Sequence, residues 1–396
     1  MKRIGLLTRI LLAIGLGVVL GSFAPESVIK VFATFNGLFG NFLNFAIPLI
    51  IIAFIAPGIG AMGRGAGKIL GLTTGVAYGS TIIAGLLAFA AATLLFPVLL
   101  ENQASQAFGD PEHALLSGFF TVEMAPIMGV MTALLIAFVL GIGVSSLKSN
   151  YLLNILDEFR MIVQKLIEKV IIPLLPIHIF GIFANMTQGG QVSSILGVFF
   201  KVFIMIITLH LIYLAIQYTI AGSLSKQSPF AMLKTMTPAY FTALGTQSSA
   251  STIPVTLERT KKIGVRDRIA DFCVPLLATI HVAGSTITLV SCAMAVMLIQ
   301  GETATFAQMF PFILMLGITM VAAPGVPGGG VVAALGLLES MLGFTGTMLS
   351  LMLALYMAQD SFGTACNVAG DGAISMVIDK LSSGKSEDME TSAKAG

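Results

Sequence analysis

Residues 69–100 pass without one charged side chain, far enough to cross a bilayer at a tilt. Inside lipid every backbone N–H and C=O must find its partner within the protein, which leaves helices and closed barrels as spanning elements. Seven further apolar segments read as spanning helices: residues 6–23, 32–59, 124–147, 170–186, 192–223, 272–299 and 341–378. Charged residues are 10 % of the 396, against roughly 25 % in a soluble domain. Lipid is therefore the main solvent. A net charge of +2 gives no reason to expect a nucleic-acid partner, and Cys273, Cys292 and Cys366 are too few and too scattered for a disulfide framework. Lys2, Arg3 and Arg9 mark the start of a first membrane helix rather than of a cleaved leader. Ahead of residue 170, Leu156, Met161, Ile162 and Leu166 alternate with charges, as in a helix that begins along the interface.

Two more uncharged stretches do not read as spans. Residues 235–257 hold nine Ser/Thr and two prolines, including Gln247-Ser248-Ser249-Ala250-Ser251-Thr252-Ile253-Pro254. Residues 304–338 are interrupted by Pro324-Gly325-Val326-Pro327-Gly328-Gly329-Gly330. Such breaks survive at membrane depth only where protein or a cavity covers them, and a matched pair of them points to a transporter's binding site. Each is expected to be a helical hairpin that enters and leaves on one side. With eight spans, two hairpins and both termini in the cytoplasm, only Lys30 and Lys201 of 21 basic residues fall outside, leaving 19 inside. That bias supports the topology and a cytoplasmic (inner) membrane location. The hairpins then open from opposite faces, as inverted repeats require.

Few ionisable groups lie within the spans, and each is a functional candidate by default. Glu123 and Glu339 fall near outer ends, His178 sits beside Pro176, and His210 has no acidic neighbour within a turn. All four read as interfacial or structural. Asp360, Thr364, Asn367 and Asp371 differ, because they form one helical stripe of carboxylate, hydroxyl, amide and carboxylate. That set suits an ammonium and a hard cation. Half-helix N-termini, serine hydroxyls and glycine backbone at the hairpin tips suit a carboxylate. The two ends together fit an α-amino acid. Residues 269–379 contain no Lys or Arg, so a second substrate carboxylate would lack the guanidinium that usually meets it. A neutral side chain is favoured.

At this point the chain resembles the dicarboxylate/amino acid:cation symporter family, of the glutamate-transporter type, over nearly its whole length. The resemblance implies eight transmembrane helices plus two re-entrant hairpins in a lipid-embedded homotrimer. It also implies a scaffold at residues 1–60 and 101–190, a transport domain at 61–100 and 191–380 that slides as an elevator, and a disordered tail at 381–396. Carried over by motif, Ser248, Ser249, Thr252, Ser285, Val326, Gly330, Asp360, Gly363, Thr364 and Asn367 would contact substrate, with Asp360 on the ammonium. Asp371, Asn367 and the Leu277 backbone would line one sodium site, and the Thr279 backbone with hairpin-two carbonyls a second. No other cofactor is implied.

Two departures stand out. Gly363 and Gln247 occupy the positions where family members that take acidic amino acids carry arginine. The Asn-Met-Asp-Gly-Thr signature aligns with His281-Val282-Ala283-Gly284-Ser285, which removes two side-chain oxygens that a hard cation needs. Thr73, Val76 and Ala77 are the third-span positions expected beside that lost site. His281 is then either a proton carrier, since histidine titrates near physiological pH, or a neutral core histidine. The resulting expectation is a symporter for a small neutral amino acid coupled to sodium, protons or both. The alternatives are a symporter for an acidic amino acid or small carboxylate, and a substrate-gated channel. An enzyme is not expected, because no nucleophile–base pair or metal cluster is evident in the sequence.

Overall fold

The computed structural model describes residues 6–62, 68–99, 115–190, 192–321, 323 and 327–394. Among them the secondary structure is helical, without strands. The first helices are α1 (Leu6–Phe23), α2 (Glu26–Met62), α3 (Lys68–Leu99) and α4 (Val130–Ser146). Then α5 (Tyr151–Leu166) passes through a π-turn at Ile167–Ile171 into α6 (Ile172–Gln188), followed by α7 (Val192–Ser225). The C-terminal half is shorter-stepped: α8 (Pro229–Thr246), α9 (Ser249–Lys262), α10 (Asp267–Ile280), α11 (Ala283–Ile299), α12 (Phe306–Val321), α13 (Gly329–Leu342), α14 (Gly346–Met357) and α15 (Asp360–Lys394). Five helical stretches are long and apolar enough to cross a membrane, one of them the α10–α11 pair.

Both expected hairpins are present, as α8/α9 and α12/α13. Two expected spans are each two half-helices instead. The segment 272–299 breaks at His281–Val282, and 341–378 breaks at Ala358–Gln359. No Gly-Pro cluster marks either break; at the first, Asn367 of a later helix supplies backbone bonds, and at the second the backbone bonds stay within the segment. The fourth span is also shorter than 124–147, because helix starts only at Val130, four residues beyond Pro126. At the far end α15 is helical to Lys394, through the stretch that the sequence reads as a tail.

Helices α1, α2, α4, α5 and α6 pack on one another, while α3 and α7–α15 gather around α11 and α15. The first group owes its closest approach to Gly17 and Gly21, one helical turn apart on α1. A Cβ at either position would collide with the α6 backbone at Phe180 or Ala184. In the second group Gly284 does the same work: a Cβ there would lie 2.5 Å from the Gly363 carbonyl oxygen. At the base of α15, Arg266 ties down buried Asp379, with Nε 2.6 Å from Oδ1.

Candidate functional site

The two hairpin tips and the two span breaks converge on a cavity of about 100 Å³. Hairpin one contributes Gln247, Ser248 and Ser249, and hairpin two Met320, Ala323 and Gly330. The α10–α11 break supplies Ala278, Thr279, Val282 and Ser285, and the α14–α15 break Tyr356, Asp360, Thr364 and Asn367. Gln247 closes α8 in the left-handed conformation, at φ 54°, an unusual state for a residue with a Cβ. Ser248 then caps α9, its hydroxyl accepting from the Ser251 N–H at 3.3 Å.

Asp360 is 6 % exposed, and among the described residues no Lys or Arg lines the cavity with it. Its Oδ2 accepts the Gly328 N–H at 2.7 Å, so the carboxylate caps the first turn of α13 from across the cavity. Gly328 stands at φ 77°, and a Cβ there would run into Met357, so this close approach requires glycine. Tyr356 is buried and lines the cavity beside Asp360 and Ser285, its hydroxyl turned toward Gly330 of hairpin two. Asn367 performs a similar capping task at the other break. Its Oδ1 accepts the N–H groups of Gly284 (2.7 Å) and Ser285 (3.3 Å), and its Nδ2 donates to Ser285 Oγ at 2.9 Å. The N-terminus of α11 is thus capped by a side chain from α15, which explains why a helix can restart there.

One turn further along α15, Asp371 meets His281: Nδ1 lies 2.9 Å from Oδ1, and both side chains are buried. On the opposite edge of the ring Nε2 lies 3.0 Å from Ser80 Oγ and 3.2 Å from Gln217 Nε2. Ser80 also bonds to Tyr213, so α3, α7, α10 and α15 share one buried polar network. The third-span residue beside His281 is therefore Ser80, one turn on from Val76 and Ala77. Thr73 instead donates to the Ile69 carbonyl and contacts Cys273.

Of the residues picked out by sequence, Ser248, Ser249, Ser285, Gly330, Asp360, Thr364 and Asn367 share the cavity. Thr252 lies behind it, fully buried, with its hydroxyl on the Ser248 carbonyl at 2.9 Å. Gly363 borders the Ser285 wall, and a Cβ there would sit in ordinary contact with the Ser285 backbone at 3.4 Å. Val326 lies outside the described residues. Thr279 lines the cavity with its hydroxyl on the Leu276 carbonyl, and the Leu277 carbonyl accepts the His281 N–H at 2.9 Å. His210 is buried against the Gly284 carbonyl, and His178 between Asn36 and Ser350. Glu123 is exposed and Glu339 half-buried. Tyr356 was missed, although its place four residues before Asp360 puts it on the same side of the chain. Gln217 and Ser80 gave no signal, because nothing local ties them to residue 281.

Comparison with known proteins agrees with this architecture. The serine/threonine transporter SstT of Acinetobacter baumannii is 25 % identical over 394 residues, 96 % of this chain and 97 % of its own. The same-named protein of Streptococcus suis is 25 % identical over 337 residues, 83 % of this chain and 93 % of its own. An excitatory amino acid transporter of Caenorhabditis elegans is 28 % identical over 260 residues, 63 % of this chain. That match spans half the length of the nematode protein. The sodium:dicarboxylate symporter family matches residues 6–381. By that match the chain belongs to this family of helical membrane symporters, and it is a transporter rather than an enzyme.

Proposed function

We propose that the protein carries a small neutral amino acid across the cytoplasmic membrane together with sodium, protons or both. The observation that carries this reading is Asp360, a buried carboxylate in a cavity lined by hydroxyls, amides and apolar groups without a basic partner. An uncompensated charge at such depth is costly, and a substrate ammonium would compensate it. The substrate carboxylate would lie toward Ser248, Ser249 and the backbone of the hairpin tips. A further carboxylate on the substrate would be desolvated without a partner, which disfavours glutamate and aspartate. Two of the relatives carry names that specify serine and threonine, in keeping with this reading.

The Gly328–Asp360 hydrogen bond gives hairpin two a role in gating. Asp360 has two oxygens with about four acceptor sites, so one oxygen can hold the hairpin while the other receives an ammonium. Substrate and hairpin closure would then favour each other. For the movement itself, α1, α2 and α4–α6 would act as the fixed scaffold of a homotrimer, and α3 with α7–α15 as the sliding body. The termini would lie in the cytoplasm. The test is calorimetric titration of the purified protein with serine, threonine, alanine, aspartate and glutamate, in sodium and in choline. Binding of neutral amino acids with at most weak binding of acidic ones supports the reading; the reverse order refutes it.

A further inference from the structure

The sodium site implied by the family likeness requires free oxygens on Asp371, Asn367 and the Leu277 backbone. The oxygens are there, but a protein donor already occupies one on each of Asp371, Asn367 and the Leu277 backbone. Asn367 Oδ1 accepts two N–H groups, which fills the two lone pairs of an amide oxygen. Asp371 Oδ1 accepts from His281 Nδ1 at 2.9 Å. The imidazole has no room to withdraw. Gln217 and Ser80 hold its far edge, and a Cβ on Gly370 would already lie 2.9 Å from its Cε1 and 2.6 Å from Gln217 Oε1. The remaining neighbour from the signature segment, Ala283, offers no side-chain oxygen, and hard cations are held by oxygen.

We propose that His281 stands in for a coupling cation at Asp371, so that this carboxylate does not take up sodium. The proposal rests on the reading of the chain as a cation-coupled symporter. A ring N–H presented to Asp371 supplies the electrostatic partner that a bound ion would otherwise supply, and it does so as part of the chain. An ionised Asp371 can only accept, so the contact at Nδ1 places a ring proton there, while Gln217 and Ser80 hold the Nε2 edge. Residue 281 thereby sets cation specificity: an amide there would return an oxygen, and an imidazole withholds it. Sodium dependence, where present, has to come from another site.

The three cysteines are buried, so a thiol-reactive dye reports unfolding of the detergent-solubilised protein. Sodium is titrated against choline at constant ionic strength for the unmodified protein, Asp371→Asn, His281→Asn and the double variant. The expected result is one and the same sodium response in the unmodified protein and Asp371→Asn. His281→Asn gains an additional saturable rise of several degrees in unfolding temperature, which the double variant loses. A saturable sodium shift in the unmodified protein that disappears in Asp371→Asn overturns the proposal. Should a variant fail to fold, a density map of the unmodified protein in thallium, a sodium surrogate, decides: an ion at Asp371 overturns the proposal, and Asp371 still bonded to His281 without an ion supports it. None of these readouts uses an amino acid. Failure to find any transported substrate would sink the proposed function and leave this result standing.

Discussion

Asp360 and Asp371 lie on the same helix, eleven residues apart, and both are almost completely buried, yet their surroundings are opposite. Asp371 is bonded to His281 inside a network that ends on Ser80 and Tyr213. Asp360 has one backbone N–H and a cavity. A buried carboxylate with a partner belongs to the architecture. On the proposed function, a buried carboxylate that faces a cavity would receive the ammonium of a substrate that comes and goes. The same chemistry would thus do two jobs on this proposal, set by what faces each aspartate.

The sharpest way to break this contrast is Asp360→Asn. Removing the charge that faces a substrate ammonium should lower affinity by about a hundredfold or more, since loss of one member of a desolvated charge pair costs about 3 kcal/mol. The unfolding temperature should hardly fall, as an amide oxygen still accepts the Gly328 N–H. Calorimetry beside a melting curve checks both, and unchanged affinity would remove Asp360 from the site. His281→Ala should show the opposite pattern. It strands Asp371 without its donor, at a cost of about 3 kcal/mol in stability, while the cavity residues keep their places. A denaturation series would reveal that loss; an undisturbed midpoint would mean that the pair contributes nothing.

Gly363→Arg probes the empty arginine position. A side chain can start there, because a Cβ meets the Ser285 backbone at ordinary contact distance. A guanidinium near that wall should raise the affinity for aspartate relative to serine by about tenfold, or ~1.4 kcal/mol. An unaltered ratio in competition binding would place residue 363 outside the specificity site. The smallest effect is expected for Tyr356→Phe, which removes a hydroxyl from the cavity wall beside Asp360 and so a donor within reach of the substrate carboxylate. A loss of about 1 kcal/mol, roughly fivefold in affinity, fits one hydrogen bond. A loss as large as that of Asp360→Asn would instead make Tyr356 a principal ligand.

The hairpins were legible because their tips are written in serine, proline and glycine, residues that a membrane helix rarely gathers in one place. The breaks at His281–Val282 and Ala358–Gln359 were not, since neither carries such a signal. Asn367, 83 residues from Gly284, supplies the cap that lets α11 restart. The α15 stripe was visible from helical spacing, and three of its four members reach the cavity together. Its fourth, Asp371, looked from sequence like the carboxylate of a cation site. The contact it makes in the structure, which the sequence does not display, comes from a histidine 90 residues earlier, with Gln217 and Ser80 behind it. Pairings of that range follow from packing, and one chain's sequence does not display them.

Uptake into proteoliposomes tests the central claim most directly. With inward sodium and proton gradients imposed, radiolabelled serine and aspartate are offered separately to the unmodified protein and to Asp360→Asn. The account predicts concentrative uptake of the neutral amino acid, little of aspartate, and neither with Asp360→Asn. Uptake of aspartate in preference to serine, or serine uptake that survives Asp360→Asn, would contradict it.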